Sequence, residues 1–271
     1  MDENIRSIKE IGRRFSVIGA GSLGIPFAWA LIRKGYHLKY IYKKIKREIR
    51  EWEAAIASDL GRIVQESDFV IISVQESKIR ETAESIAMLS HPEEKIFFHT
   101  SNSLTSDELA VLKEKGAHVA SFSPLQTFSG NAFDPDIHGS SDLFQGIYFL
   151  AEGDPEALNL AEGIASDLNA HVLRVEKKNK IYFHMAAVCA SNFLISILKL
   201  SERQLKKVGG DIGVLLPLVK QTLKNVEQRG VEASLTGPVK RKESGIIQKH
   251  LEHLHGDEAE LYRMLTEFLK T

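Results

Sequence analysis

A chain of 271 residues with 35 basic and 36 acidic side chains has a formal net charge of −1, so it lacks the basic field that would hold nucleic acid or an anionic membrane. With 43% hydrophobic and 26% charged residues it can bury one large core or two moderate ones. The single cysteine, Cys189, cannot close an internal disulfide, which excludes a disulfide-stapled secreted fold and points to a reducing, cytoplasmic setting.

The opening MDENIRSIKEIGRR is polar and charged and reads as a lead-in to a strand, not as a signal peptide. Residues 15–18 are a short apolar run with the texture of a buried strand. Gly19, Gly21 and Gly24 follow with the spacing G-x-G-x-x-G, interleaved by Ala20, Ser22 and Leu23, and an apolar helical run from residue 22 stops at Gly35. In such a turn the first glycine allows the bend, the second lets backbone approach a pyrophosphate and the third lets the helix pack on the strand. The helix N-terminus then offers N–H groups and a positive dipole end to the phosphates. These six residues are therefore expected to bind a dinucleotide. The second strand, residues 37–42, ends in Lys43 and Lys44 with no carboxylate before Glu48. An NAD site places an acid there, whereas basic residues accommodate a 2′-phosphate, so NADP(H) is the expected cofactor.

Further along, apolar runs at 69–74, 95–99, 118–122 and 146–151 alternate with helix-compatible segments at 44–57, 78–90 and 105–116, the last with Ser106 as N-cap. That alternation predicts an α/β fold, a Rossmann-type doubly wound, mainly parallel sheet. Beyond Pro155 an amphipathic helix (156–168) and an extended piece (171–175) lead into helical pattern at 179–208, 211–228 and 261–269. The expected division is a nucleotide-binding domain over residues 1–154 and an all-helical domain for substrate and dimerisation over 155–271. The longest apolar stretch, 185–198, is interrupted by Ser191 and Asn192 and falls short of the roughly 20 residues that span a bilayer, so no membrane span is expected.

Ligands in open α/β sheets lie outside the carboxyl ends of the strands. That rule selects Gln75 and Glu76, then Thr100, Ser101 and Asn102, then Ser123 to Thr127. Val74, Gln75, Thr100 and Ser101 are assigned to cofactor, and Ser123 and Gln126 to a small-molecule substrate. Hydride transfer to a carbonyl or imine also needs a proton donor. Lys180 and His184 stand four apart on one helical face, Ser191 returns near that direction after eleven residues, and Asn192 lies a quarter turn from His184. The pair is expected to polarise and protonate substrate, with Ser191 and Asn192 beside it. The competing picture is a packed helix on which His184 is merely hydrogen-bonded and Lys180 solvated. HLEHLH, with His250, His253 and His255, lacks the accompanying carboxylates or cysteines of a metal site, so no metal is expected.

Six motifs occur in one order: G-A-G-S-L-G, H-T-S from His99, S-P-L-Q-T-F from Ser123, E-G-D from Glu152, H-M-A-A-V-C-A-S-N-F from His184 and T-G-P from Thr236. Together they resemble a bacterial family of NADP oxidoreductases that joins a Rossmann-like domain to a helical C-terminal domain of unknown function. More distantly the chain is similar to pyrroline-5-carboxylate reductases, ketopantoate reductases and the 6-phosphogluconate dehydrogenase group. The resemblance implies NADP(H), a helical domain that forms a homodimer and closes the active site, and an approach of Asn225, Thr236 and Gly237 to that site. In the 6-phosphogluconate group a lysine and an asparagine four residues apart handle substrate; the matching residues here are Lys180 and His184. Family members commonly carry histidine where this chain has Ser123. The expected function is reduction of a small carbonyl or imino compound by NADPH. The alternative is a non-catalytic NADP-binding redox sensor or scaffold that dimerises through its helical domain.

Overall fold

A computed structural model describes residues 14–42, 55–56, 59–128 and 143–270. The chain divides into two compact units, Met1–Val188 and Cys189–Thr271. The first opens with β1 (Arg14–Ile18), α1 (Gly24–Arg33), β2 (His37–Tyr42), β3 (Ala55–Ile56), α2 (Leu60–Glu66) and β4 (Phe69–Ile72). A 3-10 turn, Glu76–Lys78, leads into α3 (Ile79–Leu89) and β5 (Ile96–His99), and a second, Ser106–Leu109, into α4 (Ala110–Lys113). Then come β6 (His118–Pro124), β7 (Tyr148–Gly153), α5 (Pro155–Asp167), β8 (His171–Arg174) and α6 (Lys180–Val188).

The eight strands form one sheet in the order β3-β2-β1-β4-β5-β6-β7-β8. Every pair is parallel except β6 with β7. β4 and β5 are buried at every residue, which is why they read as unbroken apolar runs and not as alternating ones. Helices cover both faces, as the doubly wound reading requires. On one face α1 and α5 close over a phenylalanine cluster, in which Phe27 lies 5.2 to 6.0 Å, centroid to centroid, from Phe122, Phe144 and Phe149. On the other, Ile63 and Val64 of α2 and Ile79, Ala83 and Ile86 of α3 pack on Val70 and Phe97. The direction of the strands reverses its sequence order between β1 and β4, where the glycine turn leaves β1.

Several expectations need correction. Ala55 and Ile56, expected in a helix, pair as a strand with Tyr40 and Ile41; the rest of that segment, Lys43 and Lys44 included, lies outside the described residues. The N-cap position before the second 3-10 turn is Thr105, not Ser106. α5 and β8 belong to the first unit, so the compact units part later than the division at 154/155 set out above.

The second unit is helical. A π turn (Cys189–Phe193) precedes α7 (Leu194–Lys206), and a 3-10 turn (Ile212–Leu215) precedes α8 (Leu216–Arg229). Two single-turn helices, α9 (Val231–Ser234) and α10 (Gly237–Lys240), lead to α11 (Ser244–Glu252) and α12 (Asp257–Phe268). The continuous helical segment Lys177–Lys206 has 30 residues and a mean hydropathy of 1.7 over its most apolar 18, none of them buried. By length and composition it is long and apolar enough to cross a membrane, unlike the 185–198 stretch considered alone, because Ser191 and Asn192 are absorbed in the π turn without ending the helix.

Candidate active site

The turn after β1 has the geometry its glycines suggest. Gly19 has φ of +112°, and a Cβ there would lie 2.2 Å from the Ser73 carbonyl oxygen; one on Gly24 would lie 2.0 Å from the Gly19 oxygen. Both positions are closed to any side chain. A Cβ on Gly21 meets nothing within 4 Å, so backbone here faces open space at the start of α1, whose N-terminus no side chain caps. Uncapped N–H groups, a positive dipole end and room for a ligand fit a pyrophosphate. Beside the turn is a cavity of about 420 Å³ lined by Gly19, Ala20, Tyr42, Val74, Gln75 and Lys78 among others. It opens at the carboxyl ends of β1, β2 and β4, where the adenosine half of a dinucleotide belongs.

A polar cluster occupies the ends of β4, β5 and β6. Lys180 is 1% exposed. Its ammonium donates to the Ser101 carbonyl at 2.8 Å, to the Leu104 carbonyl and to Ser121 Oγ. Three donors therefore meet three acceptors, and none is left over. Burial pushes the Lys180 amine down to about 8, against the charges of Glu152 and Glu76. Glu152, also buried, accepts from Ser106 N at 2.6 Å and Ser106 Oγ at 2.8 Å. His99 is fully buried, its Nε2 at 2.9 Å from the Thr105 carbonyl while Nδ1 accepts from Ser101 N at 3.2 Å. Those partners fix the neutral tautomer. Burial, with help from the Lys180 charge, pushes its pKa down to about 3.

Glu76 completes the cluster. Its Oε1 accepts from Ser101 Oγ and, at 2.8 Å, from Ser103 Oγ. Ser101 Oγ in turn accepts from Ser103 N at 3.1 Å and Leu104 N at 3.0 Å. Partial burial opposes the charge on Glu76, but the two hydroxyl bonds and the charge of His184 outweigh it and hold the carboxyl below its ordinary range. His184, one turn beyond Lys180 on the same face of α6, is half-buried.

The expected residues thus part into groups. Gly19, Ala20, Val74 and Gln75 line one cavity, and Thr100 joins β5 to β4 through Ser73 Oγ at 3.2 Å. Ser101 serves the Lys180 and Glu76 network. Ser123 is buried with its hydroxyl unpartnered, and Asn102, whose Nδ2 donates to the Pro124 carbonyl at 3.1 Å, leaves Oδ1 without a donor. Gln126 is exposed, its Oε1 accepting from Thr127 N at 2.8 Å. Lys180 is neither solvated nor turned to an open space; it is a buried clamp. Ser191, Asn192, Asn225 and Thr236 fall in the second unit. The expected direction of Ser191 rests on helical phase, and the π turn breaks the 3.6-residue count. Asn225 accepts from Gln221 Nε2 at 2.8 Å, and Thr236 precedes α10 without capping it by its side chain. Among the described residues no three metal-ligating side chains gather; His250 Nδ1 pairs with the Tyr262 hydroxyl at 2.7 Å. Glu152 and Glu76 are the residues sequence reasoning left unassigned. Glu76 had a signal, its place just after β4, and Glu152 stands in the E-G-D motif.

Residues 14–103 match the family "NADP oxidoreductase coenzyme F420-dependent", and residues 147–268 match a domain of unknown function numbered 2520. No protein of curated function matches the sequence. Among solved structures, a Bacteroides fragilis protein assigned as an NADP oxidoreductase is 28% identical with a TM-score of 0.80, over 96% of this chain and 98% of that one. A reductive aminase from Aspergillus terreus, solved with NADPH and ethyl-5-oxohexanoate, is 13% identical with a TM-score of 0.66, over 94% and 93%. A pyrroline carboxylate reductase from Plasmodium falciparum with NADP bound is 10% identical with a TM-score of 0.61, over 95% and 99%. At such identities the last two speak for fold alone. The glycine turn, the sheet order and these matches agree: the chain joins an N-terminal segment that matches that NADP oxidoreductase family to a C-terminal segment that matches the domain of unknown function.

Proposed function

We propose that the protein is an NADPH-dependent reductase of a small carbonyl or imino compound. Bound NADPH supplies the hydride. The chain's own residues hold the phosphates at Gly19 to Gly24, seat the adenosine in the cavity beside Val74 and Gln75, and deliver a proton from His184. The observation that carries this reading is the turn after β1, open at Gly21 and uncapped at the start of α1, with the half-buried His184 near enough to Glu76, just after β4, for their charges to interact. Lys180 acts as a positioning residue, because an ammonium with all three N–H groups engaged has no proton to place on substrate. The NADP preference rests on Lys43 and Lys44. The apolar faces of the second unit favour a homodimer, and the exposed free thiol of Cys189 suits a reducing cytoplasm.

The test is NADPH consumption with a panel of small cyclic imines and ketones, in the wild type and His184→Ala. Loss of a general acid lowers turnover by about 10²- to 10⁴-fold; full activity in the variant removes His184 from that role. Lys43→Asp with Lys44→Ala is expected to turn the preference from NADPH toward NADH. Tight NADPH binding with no turnover of any substrate would instead support the non-catalytic sensor or scaffold.

A further inference from the structure

We propose that Glu76 is the recognition carboxylate for a substrate whose reacting nitrogen is cationic, so that the reduced group is an iminium ion and the product an amine. The inference rests on the reductase reading and narrows it from carbonyl or imine to iminium.

Glu76 is held for such a contact. Both hydroxyl donors fall on Oε1, and the seryl oxygen that supplies one of them is itself pinned by two backbone N–H groups. The carboxylate therefore has one orientation. Oε2 receives no side-chain donor among the described residues, the Ser103 backbone N–H adding to the support of the charge, and Glu76 is an exposed side chain, open to an incoming group. An ionised oxygen aimed by its neighbours and left without a donor suits a charged N–H, the stronger kind of hydrogen bond.

The cations nearby do not take that place. Lys180 spends its three N–H groups on Ser101, Leu104 and Ser121. His99 is fixed neutral between Thr105 and Ser101. His184 is the remaining neighbour, and as proton donor it loses its charge in the step that protonates an imine. From then on the positive charge sits on the substrate, and Glu76 is the anion that faces it.

The chemistry separates the two substrate classes. With an iminium, hydride from NADPH adds to the carbon of C=N⁺, the π pair becomes the nitrogen lone pair, the iminium is reduced to an amine and NADPH is oxidised to NADP⁺. Positive charge disappears from the substrate, and the amine then takes up a proton from solvent. With a ketone, the same addition builds negative charge on oxygen, which an ionised carboxylate opposes. Asn102 Oδ1, whose amide nitrogen is committed to the Pro124 carbonyl, is a second acceptor without a donor at these strand ends.

The experiment titrates the full chain, with and without NADP⁺, by calorimetry, using piperidine, which is an ammonium at neutral pH, and tetrahydropyran, its uncharged isostere. The wild type is expected to bind piperidinium at least about tenfold more tightly, as a charge-assisted hydrogen bond predicts. Glu76→Gln is expected to erase that preference with an unchanged thermal midpoint, and Ser103→Ala, which removes one of the two hydroxyls orienting the carboxylate, to reduce it. Equal affinities in the wild type, or a preference that survives in Glu76→Gln, overturn the proposal. NADPH consumption that is faster with cyclohexanone than with the matching cyclic imine overturns it too, while leaving the reductase reading intact. Failure of the chain to bind NADPH sinks the reductase reading itself, a result the amine titration without nucleotide tells apart.

Discussion

The two units of this chain bury their apolar residues to very different degrees. In the first, Phe27, Phe122 and Phe149 have no exposed surface, and the sheet is closed on both faces. In the second, only Leu254, Ala259 and Thr266 are buried among the described residues, while Val208 is 81% exposed, Phe268 77% and Val231 72%. A cavity of about 580 Å³ among Ile197, Leu200, Leu254, Leu265 and Leu269 is likewise apolar. A unit that covers its own core folds by itself. One that leaves contiguous apolar faces in water needs another surface to cover them. The difference teaches where each half gets its stability.

The largest effect is expected in the first core. Phe122→Ala should cost about 3–5 kcal/mol in urea denaturation, the loss typical of a buried aromatic ring. Phe268→Ala, on an exposed face, should change the stability of the dissociated chain by less than about 0.5 kcal/mol. If a second copy covers the helical faces, light scattering at micromolar concentration gives the mass of two chains, and Ile195→Glu with Leu218→Glu gives the mass of one. A single-chain mass in the wild type would show that homodimerisation is not how the faces are covered.

The same contrast explains what the sequence disclosed. The β1 turn and α1 were legible because their signals are local: an apolar run, three glycines at fixed spacing and a helix stop at Gly35. β2 was read to its ends for the same reason. β3 is two residues long and carries no period, and β8, half-exposed at the sheet edge, looks like any short extended piece. α5 is amphipathic like the helices that follow, so only its packing against β7 and β8 assigns it to the first unit. Lys180 was visible as a residue on the right face, but its burial depends on a carbonyl 79 positions away, and Glu152 meets Ser106 across 46. No local pattern encodes such contacts. The π turn is equally silent, and it removes the 3.6-residue count on which the expected direction of Ser191 rests.

An intermediate effect is expected from acid. His99 is held neutral in the fold at a pKa of about 3, against an ordinary 6.5. The unfolded chain therefore binds one more proton than the folded chain between these values, and stability falls as pH drops through that window. Above about pH 6.5 the histidine contributes no slope. Lys180 works at the other end: with its amine down at about 8 against 10.5, the unfolded chain again holds the extra proton, and stability rises from pH 8 toward 10.5. Urea midpoints across pH 4 to 7 should flatten in His99→Gln if that variant folds, and those across pH 8 to 10 should flatten in Lys180→Met. A wild type whose stability is level across both windows would contradict the burial of these two groups.

The smallest effect on stability is expected at Gly21, and it sharpens the distinction between a turn that merely bends and a turn that binds. Gly24→Ala forces a Cβ to within 2.0 Å of the Gly19 oxygen, a contact the backbone can relieve only by moving α1 from β1, so folding and binding should fail together. Gly21→Ala places its methyl in open space at a φ that is not among the positive ones, and should leave the urea midpoint unchanged or slightly higher, since alanine restricts the unfolded chain. Yet that open space is where a pyrophosphate approaches the backbone, and a methyl group there holds the phosphates away from the N–H groups at the start of α1. NADPH affinity should fall by about tenfold or more, the worth of one charge-assisted hydrogen bond. A variant as stable as the wild type that binds NADPH as tightly would mean the dinucleotide does not cross this turn, and the cavity beside Val74 and Gln75 would then have to be filled from another direction.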